Sequence, residues 1–309
     1  MPTIEGRAFA KVNLGLRVFD RREDGFHELR TVFQTISLAD PIRVRVRPRA
    51  RSAVTLACSL AELSGPENLA ARAAEALLSG GRWRGRVEIE IEKRIPMGAG
   101  LGGGSSDAGA VLRALEMTLT PRPTSAELLT AAEEIGSDVP FFLTGGRAVG
   151  VGRGEEIYPL PEPSRSQWMM LVLPGVHVST VEAYRRLAKS RGGTLTSGRK
   201  RLSMGSFCFG IRAPGGEVAT DFAECLANDF EEVIFNRFPE LSTWKDRLLA
   251  AGASGASMSG SGSALFGLFA DRKAAAAACR RLSDGTAPLM VARTVNRGEC
   301  RRVWKRVGR

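Results

Sequence analysis

The chain holds only two histidines and two tyrosines, and its five cysteines, at 58, 208, 225, 279 and 300, form no CxxC pair. Too few imidazoles remain for a histidine-rich metal centre. Scattered thiols argue against a zinc site and suit a reducing compartment. No run approaches eighteen uncharged apolar residues, and the opening Met1-Pro2-Thr3-Ile4-Glu5-Gly6-Arg7 lacks the apolar centre of a secretion signal. The expectation is a cytoplasmic protein with no membrane partner. The phosphate-loop pattern GxxxxGK[ST] is absent as well; its nearest approach, from Gly193 to Lys200, carries Arg199 where the lysine belongs.

What the chain does have is a glycine-rich string. Residues 96–107 read Pro96-Met97-Gly98-Ala99-Gly100-Leu101-Gly102-Gly103-Gly104-Ser105-Ser106-Asp107. Six of these twelve positions lack a β-carbon or carry only a methyl, so the backbone can approach a ligand closely. Ala108, Val111, Leu112, Leu115 and Leu119 follow at helical spacing, with Ser105 or Ser106 expected to cap the helix. A helix N-terminus offers unpaired N–H groups and about half a positive charge, so a glycine loop feeding one is an anion site, most often for phosphate. Gly98, Gly100 and Gly103 also satisfy GxGxxG. The strand before them alternates with glutamates, however, whereas strands of a doubly wound sheet are buried on both faces.

The formal charge of +11 invites nucleic acid or a small polyanion as partner. Local pattern offers a plainer account. Ile42, Val44 and Val46 alternate with Arg43, Arg45 and Arg47, while Val87, Ile89 and Ile91 alternate with Glu88, Glu90 and Glu92. Two such strands pair arginines with glutamates across one solvent face, and no nucleic-acid partner is expected.

A chain of 309 residues divides into two domains, and Pro161-Glu162-Pro163 marks the boundary: 1–162 and 163–309. Strands are expected at 7–19, 31–37, 42–47, 53–57 and 86–92, with helices at 67–79 and 125–135. Beyond the boundary, strands are expected at 168–173, 264–269 and 288–295, and helices at 221–236, with a break near Asn228 as an alternative, at 240–250 and at 272–282. Residues 190–219, rich in Gly, Ser, Arg and Lys, read as a mobile surface insertion. The fold class is α+β.

Lys93-Arg94-Ile95-Pro96 leading into 98–106 resembles the second motif of the GHMP kinases, the superfamily of galactokinase, homoserine kinase and mevalonate kinase. Ala10-Lys11-Val12-Asn13-Leu14 resembles the first motif. Ala256-Ser257-Met258-Ser259-Gly260-Ser261-Gly262-Ser263-Ala264 resembles the third. The resemblance implies a ribosomal-protein-like N-terminal domain, a split βαβ C-terminal domain and an active-site cleft between them. It implies ATP bound by 96–106 with Mg2+, Ser106 being the hydroxyl offered to the metal, and Asn68 and Leu69 beside the adenine.

Within the superfamily, Arg22-Glu23-Asp24-Gly25-Phe26-His27-Glu28-Leu29, Gly136-Ser137-Asp138-Val139-Pro140-Phe141-Phe142 and Leu173-Pro174-Gly175-Val176 are similar to one branch. Its alcohol substrate carries a cytidyl diphosphate and is phosphorylated on the 2-hydroxyl, in the non-mevalonate route to isoprenoid precursors. The resemblance spans nearly the whole chain except 190–219 and the last dozen residues. It implies Lys11 and Asp138 as the catalytic pair, and which of them takes the hydroxyl proton stays open. Asn13 and Thr180 become polar substrate contacts. Phe26 and Tyr184 stack on the cytosine, and His27 bonds its edge. Phe26 stands where the branch usually has tyrosine, which keeps the stacking and loses a phenolic hydrogen bond. The alternatives are the same fold acting on a homoserine- or mevalonate-type alcohol, and a basic RNA-binding protein.

Overall fold

The computed structural model describes residues 3–191 and 226–307. Two long strands organise the first half: β1 (Thr3–Arg21) and β2 (His27–Pro48) pair antiparallel around a turn whose Gly25 takes φ 84°. The segments expected at 31–37 and 42–47 are one continuous strand, because Pro41 is carried within it opposite Arg7. The register of β1 on β2 slips between Phe9 and Lys11 and between Asn13 and Gly15. Such irregularities re-aim side chains near functional sites.

β4 (Gly85–Ile91) pairs with β2 so that Arg43 faces Glu90 and Arg45 faces Glu88. Their ion pairs measure 2.9 and 3.2 Å on the solvent face. Exposed pairs of this kind contribute about 0–1 kcal/mol each, so they absorb charge rather than carry the fold. The opposite face buries Ile42, Val44, Val87, Ile89 and Ile91 in the main core. β3 (Ala53–Cys58) runs parallel to β4, and β5 (Arg147–Val151) pairs with the first half of β2 and with β6 (Glu156–Pro159).

Helices cover the apolar face. α1 (Leu69–Ser79) is capped by Asn68, and α3 (Ser125–Ile135) by a reciprocal Thr124–Glu127 box. Between them α2 (Gly103–Thr118) is the most buried, with Val111, Leu112 and Leu115 fully covered. A short α4 (Val139–Thr144) follows. Sequence periodicity missed α4, which is too brief to repeat a pattern.

The second half is a four-stranded antiparallel sheet in the order β11 (Leu289–Arg293), β7 (Trp168–Val172), β10 (Leu265–Phe269), β9 (Gly255–Met258). Around it pack α5 (Thr180–Ser190), α6 (Glu231–Arg237), α7 (Pro239–Ala250) and α8 (Arg272–Leu282). The expected helix at 221–236 begins only at Glu231. Ala227–Asn228 are a two-residue strand, β8, parallel to β1, and 221–225 lie outside the described residues. The expected insertion likewise falls at 192–219 outside them.

Val12 and Leu14 of β1 meet Leu171, Phe266 and Leu268 in one apolar cluster, which joins the two sheets. After α9 (Arg297–Arg302), the closing strand β12 (Lys305–Val307) pairs with Thr3–Glu5 of β1, and the Trp304 indole covers Gly6. No described helix is long and apolar enough to cross a membrane.

Candidate active site

A cleft of about 1210 Å3 opens beside β1 and β2, and every residue of the glycine string from Pro96 to Ser105 lines it. Gly98, Gly100 and Gly102 take φ of 65°, 76° and 69°, a left-handed run that only glycine adopts without strain. At Gly102 a β-carbon would also lie 2.9 Å from the Phe142 ring and 3.2 Å from the Lys11 side chain. Backbone bonds fix the loop on both sides. The Lys11 N–H donates to the Leu101 carbonyl, the Ala264 N–H to that of Ala99, and the Ser259 hydroxyl to that of Gly100.

The helix starts earlier than its serines suggest. Gly102 is the N-cap of α2, and the first intrahelical bond runs from the Ser106 N–H to the Gly102 carbonyl. The amides of Gly103, Gly104 and Ser105 therefore have no partner one turn back, and they sit at the cleft. Neither Ser105 nor Ser106 caps the helix; left-handed Gly102 lets it begin before them. Ser106 is buried, and its hydroxyl donates to the Phe9 carbonyl at 2.6 Å, outside the cleft lining. The structure does not bring the expected metal hydroxyl to the phosphate cradle.

Lys11 enters the cleft from β1, 3% exposed, with Nζ 2.7 Å from Asn13 Oδ1 and 3.4 Å from Asp138 Oδ2. Asp138 occupies the N-cap position of α4 but makes no capping bond with its side chain, so its carboxylate turns to Lys11 instead. Asn13 does not line the cleft, because its amide is committed to Lys11 and Thr31. Thr180, at the start of α5, lines it with its hydroxyl 3.0 Å from that of Ser261. Asn68 and Leu69 also line it, and the Asn68 side chain accepts from the Ala70 N–H and donates to the Leu63 carbonyl.

Phe26, His27 and Tyr184 line the same cleft. His27 and Tyr184 stack with centroids 5.1 Å apart and planes 9° from parallel. His27 Nδ1 lies 3.1 Å from the Phe19 carbonyl, which can only accept, so Nδ1 carries a proton and donates it there. Burial, and then the charge of Asp138, push the Tyr184 hydroxyl up, which keeps it a neutral donor. Phe26 is 52% exposed, and the Arg153 guanidinium lies 4.9 Å from its centroid. Arg153 comes from the β5–β6 turn and was not singled out from the sequence, where nothing local ties it to residue 26.

A second group, whose Lys93 and Asp107 the sequence offered only as motif residues, lies under the glycine string. Lys93 Nζ donates to both Asp40 and Asp107, while Asp40 also accepts from the Arg94 and Ile95 amides. Burial pushes the Asp107 carboxyl up to about 7; Lys93 opposes that shift and the neighbouring Asp40 charge adds to it. Burial works against the Lys93 ammonium, but its two carboxylates outweigh it and hold it up. Two carboxylates sharing one ammonium carry a surplus negative charge, and a proton on Asp107 removes it.

Gly260 and Ser261, from the second glycine segment, line the same cleft as the N-terminus of α2, and the family models place the chain among the GHMP kinases. Models of the GHMP kinases N terminal domain and the GHMP kinases C terminal match residues 68–146 and 216–286. The 4-diphosphocytidyl-2-C-methyl-D-erythritol kinase of Solibacter usitatus is 46% identical over 97% of this chain and 91% of its own. That of Pelotomaculum thermopropionicum is 41% identical over 95% and 98%. A crystal structure of 4-(cytidine 5'-diphospho)-2C-methyl-D-erythritol kinase superposes with a TM-score of 0.74 at 38% identity, covering 94% of this chain and 98% of that one. A crystal structure of L. major mevalonate kinase in complex with R-mevalonate shares the fold at a TM-score of 0.65 and 14% identity, over 94% of this chain and 96% of that one. The chain belongs to the 4-diphosphocytidyl-2-C-methyl-D-erythritol kinase family.

Proposed function

We propose that this chain transfers the γ-phosphoryl group of ATP to the 2-hydroxyl of 4-diphosphocytidyl-2-C-methyl-D-erythritol, in the non-mevalonate route to isoprenoid precursors. The observation that carries the reading is the Lys11–Asp138 pair, 3.4 Å apart, in the same cleft as the uncapped amides of α2. Phosphoryl transfer requires little covalent chemistry from the protein; it requires the phosphates held, the hydroxyl aligned and its proton accepted. In our reading the amides of Gly103, Gly104 and Ser105 hold the phosphates, with Asn68 and Leu69 beside the adenine. The cytidyl end lies among Phe26, His27 and Tyr184, with Thr180 a polar contact.

The attacking hydroxyl oxygen forms its bond to the γ-phosphorus as the bond to the bridging oxygen breaks, ADP departs, and Asp138 accepts the hydroxyl proton. Lys11 donates throughout and steadies the charge that collects between Asp138 and the phosphoryl group. The donor set suits the nucleotide, since free backbone amides at a helix N-terminus that begins on left-handed Gly102 are what an anion needs. It does not build a protein cradle for Mg2+. Among the described residues no group of three or more His, Cys, Asp or Glu gathers, and the Ser106 hydroxyl is committed elsewhere. Magnesium readily keeps waters and binds through substrate phosphates, so no step is routed through a protein-held ion.

The same reading places the division between halves at 162/163 and the enzyme in the cytoplasm. An ADP-release assay offering the cytidyl substrate, mevalonate and homoserine in parallel tests the proposal. Release with the first substrate alone supports it. Equal release with another alcohol transfers the assignment to that acceptor, and no release with any, beside RNA retained on a filter at physiological salt, ends it.

A further inference from the structure

Beneath Lys11 a chain of three hydrogen bonds has only one consistent proton order. Thr31, on β2 and fully buried, has its hydroxyl 2.8 Å from the Gly15 carbonyl and 2.7 Å from Asn13 Nδ2. A carbonyl only accepts, so the single hydroxyl proton of Thr31 goes to Gly15. The hydroxyl must then accept from its other neighbour, which has to be the NH2 of Asn13. That orientation leaves Asn13 Oδ1 facing Lys11 Nζ at 2.7 Å. With the amide turned over, its Oδ1 would face the Thr31 oxygen as acceptor against acceptor and its NH2 would face the Lys11 ammonium as donor against donor, and both buried bonds would be lost. The break in register between Asn13 and Gly15 allows one threonine to reach both.

We infer that Thr31 is a positioning residue for the phosphoryl transfer: by fixing the Asn13 amide it holds the Lys11 ammonium, as a donor, beside Asp138. Lys11 then donates to Asn13 and keeps its charge 3.4 Å from Asp138 Oδ2. An ammonium anchored on an acceptor in this way acts as donor, which leaves Asp138 to take the substrate proton. Asn13, expected from the sequence as a substrate contact, acts through Lys11 instead. The catalytic meaning of this chain rests on the proposed reaction, whereas the proton order itself does not.

Two measurements separate those dependencies. In an enzyme that phosphorylates the cytidyl substrate, T31V removes the hydroxyl at nearly constant volume. It is expected to lower kcat by about 10- to 100-fold, the range that sub-ångström misplacement of a reacting group produces, with KM for ATP unchanged. T31S, which restores the hydroxyl, is expected to recover most of that loss. T31A relieves any crowding by the valine and is expected to show the same defect should T31V fold poorly. Wild-type kcat in T31V, or a T31S variant as impaired as T31V, would overturn the inference.

The second readout needs no turnover. In 15N–1H spectra of the ligand-free protein, the Asn13 side-chain NH2 (assigned by its loss in N13D) is expected to exchange slowly in wild type and T31S and quickly in T31V. Equal exchange in wild type and T31V would refute the proton order, even if the substrate assignment had already failed.

Discussion

Gly100 packs so closely beneath the Ser259 carbonyl that no β-carbon fits between them, and its φ of 76° is itself unfavourable to any other residue. This contact locks the two glycine segments together across the cleft, so one substitution tests both. Gly100→Ala is expected to destabilise the fold by about 2–4 kcal/mol, from left-handed strain plus overpacking against backbone. KM for ATP should rise with it. A thermal melt and ATP titration matching wild type would remove this loop from the phosphate site.

Asp138 makes no structural capping bond, so its loss should leave the fold intact. Asp138→Asn is expected to lower kcat by about 10²- to 10⁴-fold, the usual range for a proton acceptor, with little change in ATP binding. Stopped-flow nucleotide binding beside steady-state turnover separates the two quantities. Turnover within a few-fold of wild type would show that another group accepts the proton.

The buried carboxyl of Asp107 gives stability a pH dependence of defined sign. Its value is raised from the ordinary 3.8 to about 7, so between those limits the folded chain holds a proton that the unfolded chain releases. Rising pH therefore favours the unfolded state across that window, by up to about 1.4 kcal/mol per unit from this group. Asp107→Asn cannot ionise. Its stability relative to wild type, read from urea midpoints, should improve from pH 5 to pH 8. Parallel midpoints across that range would mean Asp107 is ionised throughout.

Phe26 is half exposed and caged by Arg153, so removing its ring costs the fold little while stripping one aromatic wall from the cleft. Phe26→Ala is expected to raise KM for the cytidyl substrate about 10-fold or more, the equivalent of one lost base–aromatic stack. KM for ATP should not move. An unchanged KM for the cytidyl substrate would put the base elsewhere.

What the sequence disclosed was local. The facing of Arg43 on Glu90 and Arg45 on Glu88 followed from two alternations of opposite sign. The glycine string announced a helix N-terminus because composition and periodicity adjoin there. Its start did not follow, since Ser105 and Ser106 are better caps than glycine and only the left-handed turn at Gly102 decides the matter. Asn13 and Ser106 were placed in the site by motif alone. Their hydrogen bonds run to Thr31 and Phe9, partners brought near by the β1–β2 register and by the docking of α2, and neither is written in the neighbouring residues. Arg153 escaped notice, and the role of Lys93 with it, for the same reason: their partners stand more than a dozen residues away.

The strand that ends the described chain also guards its beginning. Lys305–Val307 borders Thr3–Glu5, and all three of its side chains face water. Two of them are cationic, so a second molecule approaching that rim meets like charge before it meets open amides. A protease that trimmed the chain ahead of Trp304 would strip this border, uncover Gly6 and leave an unsatisfied ribbon free to zip onto another copy. Care with the C-terminal tail is thus a matter of solubility as much as of folding.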